Sequence, residues 1–285
     1  MNGIIVIDKP RYFTSRDVVN KVSHLLHTKK IGHTGTLDPL ATGVLVLCVG
    51  DYTKFVAKLT NHDKEYLVGF RFGRETDTLD CTGNVLQESN IIPSKEKLKS
   101  VLSTFIGPQK QEVPIYSAKK INGKKLYEYA REKKEVELPI QNIEVYDIRL
   151  LQYCNGEGTF LVTVSKGTYI RSLVRDISYR LGTVGEMTSL RRMKLGQYDI
   201  NQAITLGDIE AGTFALQDFR SFLSYQKYEA SKEDLIKIAH ANELYCNQES
   251  EYVLVTYQEK EIALYQRHEN RYKPILLFDK ECSFL

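Results

Sequence analysis

Apolar residues recur along the chain at two different spacings. Over 15–27 and 170–181 they recur every three or four residues, which predicts two amphipathic helices. Over 64–72 they alternate with polar residues, which predicts a half-buried strand with Tyr66 and Phe70 on one face. Shorter apolar runs and capping signals predict the other elements: strands at 3–7, 44–49, 160–164, 252–257 and 261–265, and helices from Ser94 to Gly107 and from Lys232 to His240.

These elements follow one another without a regular strand–helix–strand repeat. Such an order favours an α+β fold with a mixed or antiparallel sheet over a doubly wound α/β fold. The stretch 108–145 is polar and rich in lysine, with Pro114 and Pro139 as breakers, so we expect it to project from the core as an insertion. The chain is then divided into a large domain, 1–223, and a small α+β or β-barrel-like domain, 224–285.

Composition excludes several classes of protein. Of the 285 residues, 42% are apolar and 26% are charged, as expected for a globular protein with a buried core. No apolar run could span a membrane and the N-terminus lacks signal-peptide features, so we expect a cytoplasmic protein. No metal-ligand spacing and no phosphate-binding GxxxxGK[ST] motif occurs, so neither a metal nor a nucleotide cofactor is expected. The cysteines are scattered, which argues against a disulfide framework: Cys48, Cys81, Cys154, Cys246 and Cys282.

Positive charge is concentrated in one part of the chain. The net charge is +3, but residues 226–285 contain 8 Lys+Arg and 11 Asp+Glu, so the preceding residues carry +6. Residues 116–134 alone contain 7 basic and 2 acidic side chains, and tyrosines interleave with them. This stretch is either a solvated surface or a contact for a phosphate-bearing partner, and aromatic rings beside cations suit looped RNA.

Residues 32–43, GHTGTLDPLATG, form the most unusual loop in the sequence. The proline ring of Pro39 biases Asp38 toward an extended backbone, and the flanking glycines allow another backbone to come close. The loop is either an ordinary turn or a support that holds one carboxylate in place, and its GHTG start also resembles a nucleotide-clamping GxxG loop. In a second motif, KGTYIRSL at 166–173, Arg171 could pair with a carboxylate.

Six ordered motifs resemble those of bacterial TruB-type tRNA pseudouridine synthases, over roughly residues 3–215. They are GHTGTLDPLATGVL with a DKP turn upstream, KEYLV, GRETDTLDCTG, YSAKKINGKKLYEYAR, SKGTYIR and SLRR. The resemblance implies a pseudouridine synthase fold with a mixed, largely antiparallel central sheet and a small PUA-like C-terminal domain. It also implies isomerisation of the uridine at position 55 in the TΨC loop of tRNA, by a monomer that binds the T-arm stem-loop.

The resemblance also assigns roles to individual residues. Catalytic roles fall on Asp38 as the essential acid, Tyr66 as the residue implicated in deprotonating C5, and Arg171 as the partner of the acid. Substrate contacts fall on His33, which would wedge into the tRNA loop, on Tyr66, Tyr169 and Leu190 around the base, and on Lys9 and Pro10 in the turn supporting the loop. The insertion would grip RNA through Lys119, Lys120, Lys124, Lys125 and Arg131. The chain has Glu186 where the family often has histidine, a peripheral difference.

The implied chemistry matches these residue types. Pseudouridine formation breaks the N1–C1′ bond and forms a C5–C1′ bond, so it requires no redox change but does require an ionised carboxylate. We expect Arg171 to keep Asp38 charged, whether Asp38 attacks C6, attacks C1′ or removes the C2′ proton. Extruding the uridine costs a few kcal/mol, and His33 could fill the vacated space. Two other functions fit the same features: an RNA chaperone that folds tRNA, alone or as a secondary role, and a hydrolase that stops after glycosidic cleavage.

Overall fold

The computed structural model describes residues 1–278, so the predicted free Cys282 lies outside the described part. Strands and helices alternate in the first hundred residues. These elements are β1 (Gly3–Lys9), α1 (Ser15–Leu25), β2 (Ile31–His33), β3 (Thr42–Val49), α2 (Val56–Thr60), β4 (Lys64–Phe72), β5 (Arg74–Thr76), β6 (Val85–Glu88) and α3 (Lys95–Ser103). The strand β3 is joined to α2 by a 3-10 helix, Gly50–Phe55.

The middle of the chain contains the longest strands. Its elements are β7 (Gly107–Glu112), β8 (Lys120–Ile121), β9 (Lys124–Lys125), α4 (Leu126–Arg131), β10 (Ile140–Cys154), β11 (Glu157–Val164), α5 (Ile170–Arg180) and β12 (Gly185–Leu195). The remaining elements are β13 (Tyr198–Asp199), α6 (Leu206–Glu210), β14 (Gln226–Glu229), α7 (Lys232–Ala239), β15 (Tyr252–Tyr257), β16 (Lys260–His268) and β17 (Arg271–Leu277), with 3-10 turns at Ile200–Gln202 and Phe219–Ser221. Within residues 1–278, no helix has the length and apolar character needed to cross a membrane.

Nine of the strands described for residues 1–278 form one large sheet. Their order is β1-β3-β12-β4-β11-β10-β7, with β2 paired to β3 and β13 to β12. The β3–β12 pair is parallel, and the other pairs of this sheet are antiparallel. This arrangement confirms the predicted α+β class with a mixed, largely antiparallel sheet.

Helices and the C-terminal strands cover the large sheet. On one face, α3 and α5 pack against β4 and β11 in a cluster that includes Val68, Phe160 and Leu173. The helices α1 and α6 pack against β1 in a second cluster. A third cluster joins β3 to the small sheet, since Val46 and Leu254 are both members. The apolar alternation of the strands is therefore buried on both faces.

The C-terminal strands form a separate small sheet in the order β14-β15-β16-β17. The β14–β15 pair is parallel, the other two pairs are antiparallel, and α7 packs beside them. Of the two architectures expected for this region, the small α+β arrangement is therefore the one observed. The helix predicted at 232–240 and the strand predicted at 252–257 lie within one residue of their observed bounds, whereas the strand predicted at 261–265 extends from Lys260 to His268.

The projecting insertion is shorter than predicted. The strands β7 and β10 pair with each other, from Gly107 opposite Val145 to Glu112 opposite Ile140, and both belong to the large sheet. Only 113–139 lies outside the sheet within this region, and we refer to 113–139 as the insertion. The sequence concealed β7 because its residues, GPQKQE, are polar and show no apolar alternation.

Candidate active site

Asp38 lies in a turn that is fixed by buried neighbours on both sides. Leu37 and Leu40 are buried in the core beneath the turn. The Ser15 hydroxyl accepts a hydrogen bond from the Leu37 amide (2.8 Å), and the Tyr12 amide donates to the Pro39 carbonyl (2.7 Å). The Asp38 side chain itself is 36% exposed. The backbone on both sides of Asp38 is therefore fixed, while its carboxylate is partly exposed. An ordinary surface turn needs no such buried anchors.

Arg192 holds the two ends of this loop together. Its side chain is 1% exposed, Nε donates to the Val44 carbonyl (2.7 Å) and Nη2 donates to the Gly35 carbonyl (3.1 Å). The backbones also come close here, since Arg192 pairs with Gly43 in the parallel β3–β12 contact. Gly43 has φ +98°, and a Cβ there would overlap with the Arg192 carbonyl oxygen, so glycine is required.

Arg171 forms the ion pair that the resemblance implied. Its Nε lies 3.0 Å from Asp38 Oδ2, while Nη1 donates to the Thr78 carbonyl and Nη2 to the Tyr116 carbonyl, each at 2.9 Å. Asp80 Oδ2 lies 3.9 Å from the same Nε. Because the guanidinium is planar and bonded on three sides, it fixes the direction in which the Asp38 carboxylate faces.

A cleft of about 650 Å³ opens above this ion pair. Five residues predicted for the site line it: Asp38, Tyr66, Tyr169, Arg171 and Leu190. Tyr66 and Leu190 come from the adjacent strands β4 and β12, and Tyr169 is the residue at which α5 begins. Burial raises the pKa of the Tyr169 hydroxyl. A carboxylate, two aromatic rings and an apolar wall therefore face one space large enough for a nucleobase.

The other predicted substrate contacts do not line this cleft. His33 lies on β2 opposite Leu47, and burial together with the charge of Arg16 lowers its pKa. Lys9 is fully buried, and its Nζ donates to the carbonyls of Pro10 (2.9 Å) and Phe13 (2.5 Å). Burial lowers the Lys9 pKa to about 8. Lys9 thus holds the DKP turn together, and it pairs with Gly43 at the end of the loop that carries Asp38.

Two of the basic residues predicted in the insertion lie beside an aromatic ring that lines the cleft. The hairpin β8–β9 turns at Asn122 and Gly123, both with positive φ. Lys125 and Arg131 lie over the Tyr127 ring at 5.3 and 5.2 Å, and Tyr127 itself lines the cleft. The other predicted lysines lie on the same hairpin or just before it, Lys119 and Lys120 exposed and Lys124 partly buried. Lys125 and Arg131 therefore lie next to the cleft through Tyr127, and RNA contact by the five basic residues stays a prediction.

Two buried cations that line the cleft, Lys64 and Arg192, were not predicted from sequence. Lys64 is 9% exposed, and its Nζ donates to the His62 carbonyl (2.6 Å). Neither Lys64 nor Arg192 forms an ion pair with a carboxylate in the part of the chain that the structure describes. Burial, together with the charge of Arg192, lowers the Lys64 pKa to about 8. Both residues stand inside the quoted motifs KEYLV and SLRR, but residue type alone does not reveal a buried cation.

Glu186, the residue that differs from the family pattern, lies away from the cleft. It is fully buried and accepts hydrogen bonds from Arg71 and Arg74. Its carboxylate thus neutralises two neighbouring cations, and it is not among the cleft-lining residues. The structure agrees with the expectation that this difference is peripheral.

Family models and related sequences match most of the chain. A model described as the N-terminal domain of TruB family pseudouridylate synthases matches residues 23–170, and one for the C-terminal domain of tRNA pseudouridylate synthase B matches 171–224. The chain is 44% identical over 241 residues to tRNA pseudouridine synthase B of Caldanaerobacter subterraneus, covering 84% of each protein. It is 38% identical to that of Lactobacillus acidophilus, covering 97% of this chain and 98% of the other.

Solved structures share the fold at low sequence identity. A structure of an H/ACA ribonucleoprotein bound to a substrate RNA containing 2′-deoxyuridine matches with a TM-score of 0.66 and 21% identity, covering 98% of this chain and 86% of that one. An archaeal box H/ACA Nop10–Cbf5 complex matches with a TM-score of 0.63 and 21% identity, covering 98% and 87%. The predicted pseudouridine synthase fold is confirmed, and by its family models and relatives this chain belongs to the TruB family of pseudouridylate synthases.

Proposed function

We propose that this enzyme converts uridine 55 in the T-loop of tRNA to pseudouridine, with Asp38 as the one catalytic carboxylate. The relatives' shared name, tRNA pseudouridine synthase B, supports tRNA as the substrate. The ion pair of Asp38 with Arg171 in the floor of the cleft carries the proposal, since the reaction needs an ionised carboxylate against the nucleoside. We further propose that the enzyme acts as a cytoplasmic monomer.

The arrangement of the cleft supports an intramolecular transfer. The N1–C1′ bond breaks, the uracil turns, C5 bonds to C1′, and the proton lost from C5 is balanced by one gained at N1. Asp38 reaches the cleft beside the ring of Tyr66, which would pack on the uracil and receive the C5 proton. Leu190 would form an apolar wall that lets the detached base rotate without leaving.

Access to the base requires that it leave the folded tRNA loop. Extruding a base costs a few kcal/mol, and contacts at the cleft mouth must offset that cost. The basic and aromatic side chains of the insertion supply phosphate contacts and ring surfaces there. His33, three residues upstream of the cleft-lining Thr36, has a lowered pKa and could enter the space left in the RNA.

The direct test uses unmodified tRNA transcript. Wild type and Asp38→Asn are incubated with it, and pseudouridine is mapped chemically at single-nucleotide resolution. We expect modification at position 55 with wild type and none with the variant, whose tRNA affinity should be retained. Modification elsewhere would reject the T-loop assignment, and full activity of Asp38→Asn would reject the single-aspartate mechanism.

The same reagents separate the alternative functions. A tRNA-folding chaperone would rescue misfolded tRNA with Asp38→Asn as well as with wild type, so a folding assay with the variant measures that role apart from catalysis. A hydrolase would release free uracil and leave an abasic site.

Tyr66→Phe should bind tRNA normally and turn over poorly, because it removes a hydroxyl while keeping the ring.

A further inference from the structure

Gln111 is a buried polar side chain that the proposed mechanism does not use. It lies on β7 and is 1% exposed. The oxygen and the nitrogen of its side-chain amide both form hydrogen bonds with the backbone of the same residue, Tyr169. Its Nε2 donates to the Tyr169 carbonyl (3.0 Å), and its Oε1 accepts from the Tyr169 amide (2.9 Å). If the Gln111 side-chain amide were flipped, its NH₂ would face the Tyr169 N–H and its oxygen would face the Tyr169 carbonyl. These two partners therefore fix the orientation of the amide.

Tyr169, the residue that Gln111 holds, lies where the loop before α5 meets the helix. Tyr169 is the N-cap of α5 and has no side-chain capping bond of its own. The two residues Lys166 and Gly167 in the loop before it are exposed. The Tyr169 ring lines the cleft, and Arg171 follows two residues later. The backbone position of Tyr169 therefore sets where both side chains lie relative to Asp38.

Further contacts link the base of the insertion to the same helix. The Glu112 carbonyl accepts from the Ser172 hydroxyl (2.9 Å), and its carboxylate accepts from Arg175 (2.8 Å). Gln141, which pairs with the buried glutamine across the β7–β10 register, donates to the Gly167 carbonyl (2.9 Å). The two points where the insertion leaves and rejoins the sheet thus hold the loop before α5 and its first two turns.

The insertion also contacts the catalytic ion pair directly, since Arg171 donates to the Tyr116 carbonyl. We propose that Gln111 is a positioning residue: from the buried strand β7 it fixes the backbone of Tyr169, and through it the positions of the Tyr169 and Arg171 side chains. The inference rests on the proposed function for its activity test, and its structural part is testable independently.

The activity test compares two substitutions on one strand. Gln111→Met keeps the side-chain volume and removes both bonds to Tyr169. Gln109→Met is the matched control, because Gln109 lies on the same face of β7 but donates to the Phe105 carbonyl (3.1 Å) at the end of α3. We expect Gln111→Met to lower the single-turnover rate on the order of 100-fold, as a misplaced group can, with tRNA Kd and Tm close to those of the control.

A coupling measurement distinguishes positioning from general stabilisation. Tyr169→Ala removes the ring but keeps the backbone groups that Gln111 holds, so Gln111→Met should cost less rate in the Tyr169→Ala background than in wild type, because only its effect on Arg171 remains. Full additivity of the two losses would overturn the proposal, and so would a folded Gln111→Met protein with wild-type rate. If Gln111→Met does not fold, Gln141→Met, which loses one bond to Gly167, should show a smaller loss in the same direction, and a wild-type rate there would overturn it.

An amide-exchange experiment keeps this inference separate from the proposed function. Failure of wild type to form pseudouridine would reject the proposed function alone. In either case, hydrogen exchange of the amides at 167–172 should be faster in Gln111→Met than in Gln109→Met, because the Tyr169 backbone loses its two hydrogen bonds to the Gln111 side chain. Equal exchange in these two proteins would overturn the role of Gln111.

Discussion

Arg171 Nε lies 3.0 Å from Asp38 Oδ2, and the other two nitrogens of the same guanidinium are bonded to backbone carbonyls. The guanidinium is therefore fixed by the backbone of two other segments while it pairs with Asp38. The Asp38 side chain remains 36% exposed toward the space where substrate would lie, while that of Arg171 is 7% exposed. This difference in exposure supports the proposed roles, in which Asp38 would face the substrate and Arg171 would orient the carboxylate.

The first prediction concerns the shape of that cation. Arg171→Lys keeps the charge but cannot bond three acceptors in one plane, so the carboxylate loses its fixed direction. We expect the single-turnover rate of pseudouridine formation to fall on the order of 100-fold, with tRNA Kd little changed. Arg180→Lys, at the exposed end of the same helix, is the control. Equal rates for the two variants would contradict the orienting role.

The second prediction concerns the clamp on the catalytic loop. Arg192→Met removes the donor to the Gly35 and Val44 carbonyls, so both ends of the loop gain freedom. We expect faster amide exchange over 34–44 and a rate loss of roughly 10- to 100-fold, because Asp38 is then less well placed.

The adjacent residue provides a control for the clamp. Arg191 points to the other side of β12, where it pairs with Asp8 and is 36% exposed. Arg191 also donates to Thr42 Oγ1 (3.3 Å) at the end of the loop. An exposed ion pair contributes about 1 kcal/mol or less, so Arg191→Met should speed loop exchange less than Arg192→Met does. If both variants loosened the loop equally, general destabilisation of β12 and not the clamp would be responsible.

The third prediction is a pH dependence set by Lys64. Because burial lowers its pKa to about 8, the cleft loses a positive charge as pH rises through 8, and tRNA binding should weaken. Stability changes in the opposite direction: between pH 8 and the ordinary lysine pKa of about 10.4 the unfolded chain binds more protons, so the free energy of unfolding rises with pH.

Comparison with Lys64→Met isolates this group. Lys9 also has its pKa lowered to about 8, but it is present in both proteins, so its contribution cancels in the difference. Fluorescence measurements of tRNA Kd from pH 7 to 9, and urea unfolding from pH 7 to 10, should give flatter profiles for the variant. Parallel profiles for wild type and variant would show that Lys64 does not titrate in this range.

The fold was predictable where burial follows backbone periodicity. The helix α5 and the strand β4 have apolar residues at spacings of 3.6 and 2, so their type and buried face could be derived from sequence. The strand β7 could not, because its buried member is Gln111, and an amide becomes a core residue only through the tertiary contact with Tyr169. Likewise, the shorter insertion follows from a strand pairing that polar residues do not reveal.

The site was predictable only in part for a related reason. Residue types alone left the loop around Asp38 ambiguous, and its role came from motifs resembling a known family. The structure adds the pairing of Asp38 with Arg171, which lies far along the chain. Lys64 and Arg192 were missed because they are notable only for being buried with no carboxylate partner among the described residues. Burial of this kind depends on the fold, so residue type does not reveal it.

The last prediction separates free from engaged cations on the insertion. Lys120 is exposed and has no ion pair within residues 1–278, whereas Lys124 pairs with Glu132 and lies 4.9 Å from the centre of the Tyr129 ring. A cation that contacts a phosphate contributes about 0.7–1 to the slope of log K against log salt. Lys120→Ala should therefore reduce that slope by about this amount.

Lys124→Ala should have a smaller effect on the same slope. Lys124 is paired with Glu132 and must leave it to reach a phosphate, so the variant loses a weaker phosphate contact than Lys120→Ala does. Glu132 also pairs with Lys134 (3.0 Å), so Glu132→Gln releases two lysines from their partner, and it should strengthen tRNA binding and steepen the slope. Affinities measured between 50 and 300 mM salt decide the matter. Equal slopes for Lys120→Ala and wild type would place the RNA backbone away from the hairpin β8–β9, and would require another surface to supply the phosphate contacts.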